Sequence, residues 1–265
     1  MSKQSLYTVI IERIFLSHFK TGAEQVNFAR EDIVKFAKKL GVPLPKNLGD
    51  VVYSFRYRKA LPRKILTKAK KGYAWIIRPA GRGKYCFVLV PDRPLSPNEQ
   101  LAITKIPDST PGIVAKYSLT DEQALLAKVR YNRLIDTFMG ITCYSLQNHC
   151  RTTVPALGQV ETDEIYVGID KKGAQYVCPV QGKGLREQFG VVQIEQDLEL
   201  CAHKFPSLTC RPIGAKSMED NIIALLEFEQ AQDGIHIASE KHYKLVPPED
   251  VTVADLNAYR NRRAD

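Results

Sequence analysis

Four polar side chains stand at alternating positions in two short runs of the sequence, Glu161-Thr-Asp163 and Gln181-Gly-Lys183. Residues two positions apart on a strand share one face. Carboxylate and amide oxygens are ligands that suit Mg²⁺, and an ammonium group can orient a water or stabilise developing negative charge. Phosphodiester hydrolysis requires charge neutralisation, an activated water and a stabilised leaving oxygen. These four residues could supply those functions if they met.

The segment that joins the two runs predicts that they do meet. Residues 158–183 alternate or run apolar on both sides of a Lys-Lys-Gly turn, a pattern typical of an antiparallel hairpin. In such a hairpin Asp163 lies opposite residues 180–181, and Glu161 lies opposite residues 182–183. We therefore expect the carboxylates, the amide and the ammonium to share one small volume. The alternative is a set of solvated cross-strand ion pairs.

The two runs resemble the motif of the PD-(D/E)xK nuclease superfamily, which includes restriction endonucleases, Holliday-junction resolvases and repair nucleases. Gln181 stands where most members have Glu or Asp, as in the QxK variant of Mrr-like restriction enzymes, and Thr162 replaces the Pro of the family name. The resemblance implies Mg²⁺ as cofactor, with Asp163 and Gln181 as metal ligands. It also implies that Asp163, Gln181 and Lys183 perform hydrolysis, with Glu161 as an auxiliary ligand or base.

The same resemblance implies an acid on an upstream helix, for which Glu122 and Asp136 are both candidates. A helix should follow the Gln-Gly-Lys strand, and residues 190–202 suit it, with Gln193 near the site. Glu164 falls on the other face of a regular strand and would reach the site only through a bulge.

Charge is divided unevenly along the chain. Residues 1–95 hold 20 Lys and Arg against 6 Asp and Glu, a net charge of +14, whereas the other 170 residues hold 18 against 23, a net charge of −5. Clustered Lys and Arg attract phosphates and release counterions, which indicates a nucleic-acid partner for the N-terminal part. A basic surface that serves only solubility is the alternative.

The basic part has the pattern of three helices and a hairpin. Apolar spacing predicts helices over Ser5–Phe19, Asn27–Leu40 and Leu48–Lys59, and β-rich runs at Tyr73–Ile77 and Lys84–Val90 flank a basic tip. This order resembles a winged-helix domain, which implies that the third helix enters the major groove and the hairpin touches the DNA backbone. The expected DNA contacts are Ser54, Arg56, Arg58, Lys59, Arg63, Arg78 and Arg82.

The sequence predicts an α+β protein with two domains. Pro91, Pro94 and Pro97 interrupt regular structure, so we divide the chain into a winged-helix-like domain (1–95), a linker (96–118) and a nuclease domain with a mixed central sheet (119–265). The last domain opens with a helix predicted over Leu119–Met139, which could extend through Tyr144.

Several classes of protein are not indicated by the sequence. It contains no run of about 18 apolar residues and no signal-peptide pattern, so we expect a cytoplasmic protein without a membrane segment. The resemblance to restriction endonucleases implies a prokaryotic protein. The six cysteines form no CxxC pair and no zinc-finger spacing, which predicts reduced, mostly buried thiols.

Together with these patterns, the resemblance implies sequence-specific, Mg²⁺-dependent cleavage of double-stranded DNA, as in a type II restriction endonuclease. Since a two-strand break needs two active sites, a homodimer is a further expectation. Two alternatives stay open. One is a modification-dependent or junction-specific nuclease with the same catalytic residues. The other is a non-catalytic winged-helix transcriptional regulator.

Overall fold

The chain is α+β, as the sequence predicts, with a small antiparallel sheet near the N-terminus and a large mixed sheet after it. The computed structural model describes residues 3–44, 46–117, 121–155 and 157–262. The first part of the chain, which we call the basic module, ends with β3. Its elements are α1 (Lys3–His18), β1 (Gln25–Ala29), α2 (Arg30–Lys39), α3 (Gly49–Tyr57), α4 (Arg63–Leu66), β2 (Tyr73–Pro79) and β3 (Lys84–Pro91).

The basic module is built around α1 and the β2–β3 hairpin. Its three strands are antiparallel in the order β1-β3-β2. The Phe15 ring lies 5.0 Å from the Phe87 ring and 5.1 Å from the Trp75 ring, both edge to face, and Ile10 and Ile14 on the same helix are fully buried. Burying these side chains removes the apolar face of α1 from water and fixes the hairpin against it.

One predicted helix in this module begins later than its apolar pattern indicates. Residues 25–29 form β1, so the helix expected from Asn27 begins at Arg30. Val26 and Phe28 are buried between exposed neighbours, a period of two that suits a strand. The Asp32 carboxylate then accepts the Ala29 backbone N–H at 2.9 Å and marks the helix start.

The remaining elements form the large sheet and its two covering layers. They are β4 (Ile103–Pro107), α5 (Gly112–Tyr117), α6 (Asp121–Tyr131), α7 (Leu134–Met139), β5 (Thr142–Val154), β6 (Gly158–Ile169), β7 (Gln175–Lys183), α8 (Val191–Lys204), β8 (Thr209–Cys210), β9 (Ile213–Ser217), β10 (Ile222–Ala231), β11 (Gly234–Val246) and α9 (Val253–Arg260). Single 3-10 turns cover Glu219–Asn221 and Pro248–Asp250.

The large sheet has the strand order β4-β11-β10-β9-β7-β6-β5. β5, β6 and β7 are antiparallel neighbours, β9 runs parallel to β7 after the crossover through α8, and β4 runs parallel to β11. β8 pairs with β7 at one end. The sheet is therefore mixed, and its middle strands are those that carry the two polar runs.

Helices cover both faces of the sheet. Leu126 and Val129 of α6 pack in one cluster with Tyr166 and Val180 of the β6–β7 hairpin. On the other side, Leu200 of α8 joins the opposite face of the same hairpin. The strands that carry the polar runs are thus held between two apolar layers, which restricts how their polar ends can move.

Two expected segments differ from the sequence analysis. The stretch 96–118, expected as a linker, contains β4 and α5, and β4 is an edge strand of the large sheet. The helix expected over Leu119–Met139 is two helices, since Arg133 takes a left-handed conformation (φ 50°) between them, and the chain enters β5 at Thr142 rather than staying helical to Tyr144. Residues 118–120 lie outside the described part.

The expectations about membrane segments and cysteines can also be compared with the structure. Within the described ranges, no helix is both long and apolar enough to cross a membrane. All six cysteines are free thiols, five buried and Cys210 partly buried, which confirms the prediction of reduced, mostly buried cysteines.

Candidate functional site

The β6–β7 hairpin has the register that the sequence predicts. Its backbone pairs run from Ile169–Gln175 to Glu164–Val180, which continues to place Asp163 across from position 181. Beyond the Glu164–Val180 pair the backbone ladder stops, while β6 remains paired with β5. The two strands therefore open where the polar residues begin.

A side chain fills the gap where the ladder stops. Oδ2 of Asp163 accepts the backbone N–H of Gly182 at 2.7 Å, so the carboxylate takes the place of a backbone partner. This bond joins Asp163 of the first polar run to the backbone of the second run. Gly182 also lets α6 come close, because a Cβ built there would lie 3.2 Å from Cγ of Glu122.

Gln181 is hydrogen-bonded to a buried acid on α8. Its amide nitrogen donates to both carboxylate oxygens of Asp197, at 3.1 and 3.0 Å, and the Thr162 hydroxyl donates to the same carboxylate. Gln181 is 2% exposed and Asp197 is 1% exposed. With its nitrogen held by Asp197, Gln181 has its amide oxygen left for the cleft described below.

The carboxyl groups in this region repel one another and are poorly solvated. Burial raises the pKa of Asp163, an effect that the Gly182 N–H and the charge of Lys183 oppose and the charge of Glu161 reinforces. Burial, and then the charge of Asp163, raise the pKa of Glu122. Burial raises the pKa of Asp197 to about 7, against hydrogen bonds from Thr162 and Gln181. Removing acids from water beside other acids favours their protonated forms, and a cation would reverse that preference.

Glu161 is engaged differently from Asp163. His149 Nε2 lies 3.0 Å from its Oε1, and Arg151 Nη2 lies 3.7 Å from its Oε2, both from β5. His149 itself has a left-handed backbone (φ 51°), which is unusual for a residue other than glycine. Arg151 thus offsets part of the charge on the Glu161 carboxylate, and His149 contacts the same carboxylate from the adjacent strand.

The structure separates the candidates that the sequence left open. Glu122 lines the same cleft as Asp163, whereas Asp136 accepts the Cys143 backbone N–H at 2.9 Å, pairs with Arg133 and does not line that cleft. Glu164 is fully buried, accepts from Arg130 and Ser145 at 2.7 Å each, and likewise does not line the cleft. Glu122 is therefore the helix acid near Asp163.

All four predicted site residues line one cleft of about 1240 Å³. The basic module forms one wall of this cleft through α3 and the β2–β3 tip, and the polar ends of β5, β6 and β7 form the other. The predicted DNA contacts Ser54, Arg56, Arg58, Lys59 and Arg82 are among the residues that line it. Basic side chains and candidate hydrolytic residues thus share one space, although the sequence assigned them to separate domains.

Two of the predicted DNA contacts lie elsewhere. Arg78 forms a two-pronged ion pair with Glu195 of α8, so its guanidinium joins the basic module to the large sheet. Arg63 is exposed on α4 and does not line the cleft.

Three residues of the site were not assigned a role from the sequence. His149 and Arg151 belong to β5, which the sequence analysis did not predict, so no spacing pointed to them. Asp197 carried a signal, because it stands with Ile194 and Cys201 on the buried face of α8, where an ionisable side chain requires a polar partner.

The donor set is compatible with Mg²⁺. Among the described residues, no three His, Cys, Asp or Glu side chains form a ready metal cluster. Mg²⁺ in proteins commonly binds one or two carboxylates and takes its other ligands from waters and substrate phosphates. Asp163 and Glu122, whose pKa values are raised by burial and by neighbouring carboxylates, and the amide of Gln181 fit that requirement.

Comparison of the chain with protein-family models, with curated proteins and with solved structures returned no match.

Proposed function

We propose that this protein is a Mg²⁺-dependent endonuclease that cleaves double-stranded DNA at specific sequences, of the PD-(D/E)xK type with a QxK motif. The observation that carries the proposal is the shared cleft, in which Asp163, Gln181 and Lys183 face the basic residues of α3. A polyanion drawn to those basic residues would lie against the acids that can hold its metal.

The order of elements around the site supports the assignment. A helix (α6) supplies Glu122, the antiparallel strands β5, β6 and β7 supply the two polar runs, and α8 follows the Gln-Gly-Lys strand before β9 pairs parallel to it. These are the positions that the resemblance to the superfamily implies for its acid, its motif strands and its crossover helix.

The order of the basic module supports a winged-helix-like DNA-binding role. A helix, a strand, two helices and a hairpin follow one another, and the three strands pair in the order β1-β3-β2. Arg58, Lys59 and Arg82, which line the cleft, would contact phosphates. Six free thiols fit a reducing compartment, and we propose the cytoplasm of a prokaryote.

In this proposal each residue of the site has a distinct task. Asp163 and Glu122, with the amide oxygen of Gln181, would hold the cation, which supplies neutralisation of charge on the scissile phosphate. Lys183 would orient or deprotonate the attacking water, or stabilise the charge that develops on the phosphate. Glu161, paired with His149, would act as an auxiliary base or ligand.

The test is cleavage of plasmid DNA with Mg²⁺ by the wild-type protein and by Lys183→Ala. The wild type should give discrete fragments, and Lys183→Ala should lose at least about a hundredfold in rate because a charge acting in the transition state is removed. Its DNA binding without metal should be nearly intact. The matched control is Lys172→Ala, which removes an exposed lysine from the turn of the same hairpin and should cleave normally.

Other results would favour the alternatives. Cleavage restricted to methylated or branched DNA would indicate a modification-dependent or junction-specific nuclease with the same residues. Uncut plasmid together with tight, sequence-dependent gel shifts would indicate a transcriptional regulator. Full cleavage by Lys183→Ala would contradict the catalytic assignment.

A further inference from the structure

On the inner wall of the cleft, two nitrogen atoms of a buried guanidinium lack a hydrogen-bond partner. Nε and Nη2 of Arg56 are buried, and they hydrogen-bond to no atom of the described residues. The burial of this guanidinium lowers its pKa. Buried charged donors that lack acceptors are costly, so an unpaired one in a cleft indicates a missing anionic partner.

Aromatic rings stand beside this cation on the same helix. The rings of Tyr53 and Tyr57 lie 4.7 Å apart, Arg56 lies 4.8 Å from the Tyr57 ring, and Arg58 lies 4.9 Å from the Tyr53 ring. All four side chains line the cleft. Alternating aromatic and basic side chains along a groove is the arrangement that binds unpaired nucleotides, because every base has a face that stacks.

The cleft is too small for the usual use of a recognition helix. Its volume of about 1240 Å³ lies a little above the range of pockets for small molecules, roughly 300–1,000 Å³, which is room for a few nucleotides rather than a turn of duplex. One side of α3 also packs on α8. A Cβ built at Gly190 would lie 3.9 Å from the Arg56 carbonyl oxygen, and Arg78 pairs with Glu195 nearby. A helix covered in this way cannot enter a major groove unless the basic module separates from the large sheet and α8.

We propose that this cleft binds a short unpaired stretch of the scissile DNA strand, with a backbone phosphate on Arg56 and bases against Tyr53 and Tyr57. The inference rests on the proposed nuclease function and specifies the form in which the substrate reaches Asp163. The strand must leave its duplex locally, at a cost that the stacking and the buried charge pair offset. The α3 wall then acts as a clamp on the strand being cut.

The experiment measures binding by the full chain, without metal, to three labelled DNAs of equal length and related sequence. They are a single strand, a duplex, and a duplex with a central unpaired bubble. Fluorescence anisotropy at one salt concentration measures the affinity for each DNA. We expect the single strand and the bubble to bind at least as tightly as the duplex. A duplex that binds more than about tenfold tighter than both would overturn the proposal.

Variants locate the binding in the cleft. Tyr53→Ala, at a half-exposed position, and Arg56→Gln should each weaken single-strand binding by about tenfold. Arg13→Ala removes an exposed arginine of α1 outside the cleft and should change it by less than about threefold. Circular dichroism and a melting curve check that each variant is folded. Should Arg56→Gln be unfolded, the binding measured for Tyr53→Ala decides the test. Wild-type binding by folded Tyr53→Ala would contradict the proposal.

The outcome is separable from that of the nuclease proposal. If Mg²⁺ produces no cleavage of any DNA but the cleft variants lose single-strand binding, the catalytic assignment fails and the binding site stands. If cleavage occurs while the cleft variants bind every DNA normally, the nuclease stands and the strand clamp fails.

Discussion

At position 181 the chain carries an amide where a carboxylate would add a further negative charge beside Asp163, Glu161 and Glu122. The negative charge is instead one layer deeper, on Asp197, whose carboxylate accepts both the Gln181 amide and the Thr162 hydroxyl. This arrangement keeps Gln181 oriented without adding a further acid to the Glu122, Glu161 and Asp163 that already line the cleft. Its cost is a fully buried acid whose pKa is raised to about 7.

The buried Asp197 makes stability depend on pH in a predictable direction. Its pKa rises on folding, so the folded state keeps a proton that the unfolded state releases. Its contribution is fully present below about pH 4 and is lost as the pH rises to about 7. Relative to Asp197→Asn, the wild type should lose on the order of 4 kcal/mol of unfolding free energy across that range.

Urea unfolding in EDTA at several pH values measures this difference, with EDTA removing any metal that would stabilise the folded state. Above pH 7 the difference between the two proteins should become constant. Parallel stability profiles from pH 4 to 7 would show that Asp197 keeps an ordinary pKa.

Removing the charge of two glutamates on the α6 side of the sheet should affect cleavage in one case and stability in the other. Glu122→Gln takes a carboxylate from beside Asp163, and we expect cleavage to fall about a hundredfold and to require more Mg²⁺, with little change in stability. Glu164→Gln breaks the ion pair between this fully buried carboxylate and the partly exposed Arg130, and we expect a loss of about 1–2 kcal/mol of unfolding free energy.

Cleavage rates over a Mg²⁺ titration and urea midpoints for both variants provide the comparison. The Glu164→Gln protein that remains folded should cleave DNA with the same Mg²⁺ requirement as the wild type. A raised Mg²⁺ requirement in Glu164→Gln and none in Glu122→Gln would exchange their roles.

The strands that could be predicted from the sequence are those whose signal is local. β6 and β7 alternate around a Lys-Lys-Gly turn, and their register is set by that turn, so the meeting of Asp163 with the Gln-Gly-Lys run follows from sequence. α8 shows an apolar helical face and was predicted within two residues. Neither prediction required knowledge of a distant partner.

The elements that local sequence patterns do not reveal depend on distant partners. β5 is an edge strand with most side chains exposed, including Tyr144 and Leu146, so it lacks an alternating pattern, and with it His149 went unassigned. β4 is short and pairs in parallel with β11 from the far end of the chain. The meeting of α3 with α8 likewise rests on contacts such as Arg78 with Glu195, which no local pattern specifies.

The position of Arg78 predicts a difference between two arginines of the basic module. Arg58→Ala should weaken DNA binding and reduce the slope of log affinity against log salt by about 1, because one phosphate contact is lost. Arg78→Ala should keep that slope and lose about 1 kcal/mol of unfolding free energy or less, because its partly exposed guanidinium already pairs with Glu195.

Salt titrations of binding and urea unfolding of both variants test this assignment. A reduced slope in Arg78→Ala would mean that DNA displaces Glu195 from the arginine. An unchanged slope in Arg58→Ala would remove that residue from the phosphate contacts.

For the molecule as a whole, the division of charge has a structural counterpart. The basic module, which carries most of the net charge of +14 found in residues 1–95, forms one wall of the cleft, and the acids of the large sheet form the other. Long-range attraction would bring DNA to the module, and the acids would repel it until a cation is bound. Metal binding and productive DNA binding should therefore reinforce each other.

The described residues of one chain form one such site, so we expect the proposed double-strand cleavage to use two chains. We expect supercoiled plasmid to be nicked first at low protein concentration, and the rate of linearisation to rise faster than linearly with concentration. Mixing wild type with an equal amount of Lys183→Ala should then trap nicked circles, because mixed pairs hold one working site. Agarose gels over time and size-exclusion chromatography measure both effects. If linear product forms directly at concentrations where the protein elutes as a monomer, and the inactive chain only dilutes the rate, each chain must cut both strands in turn.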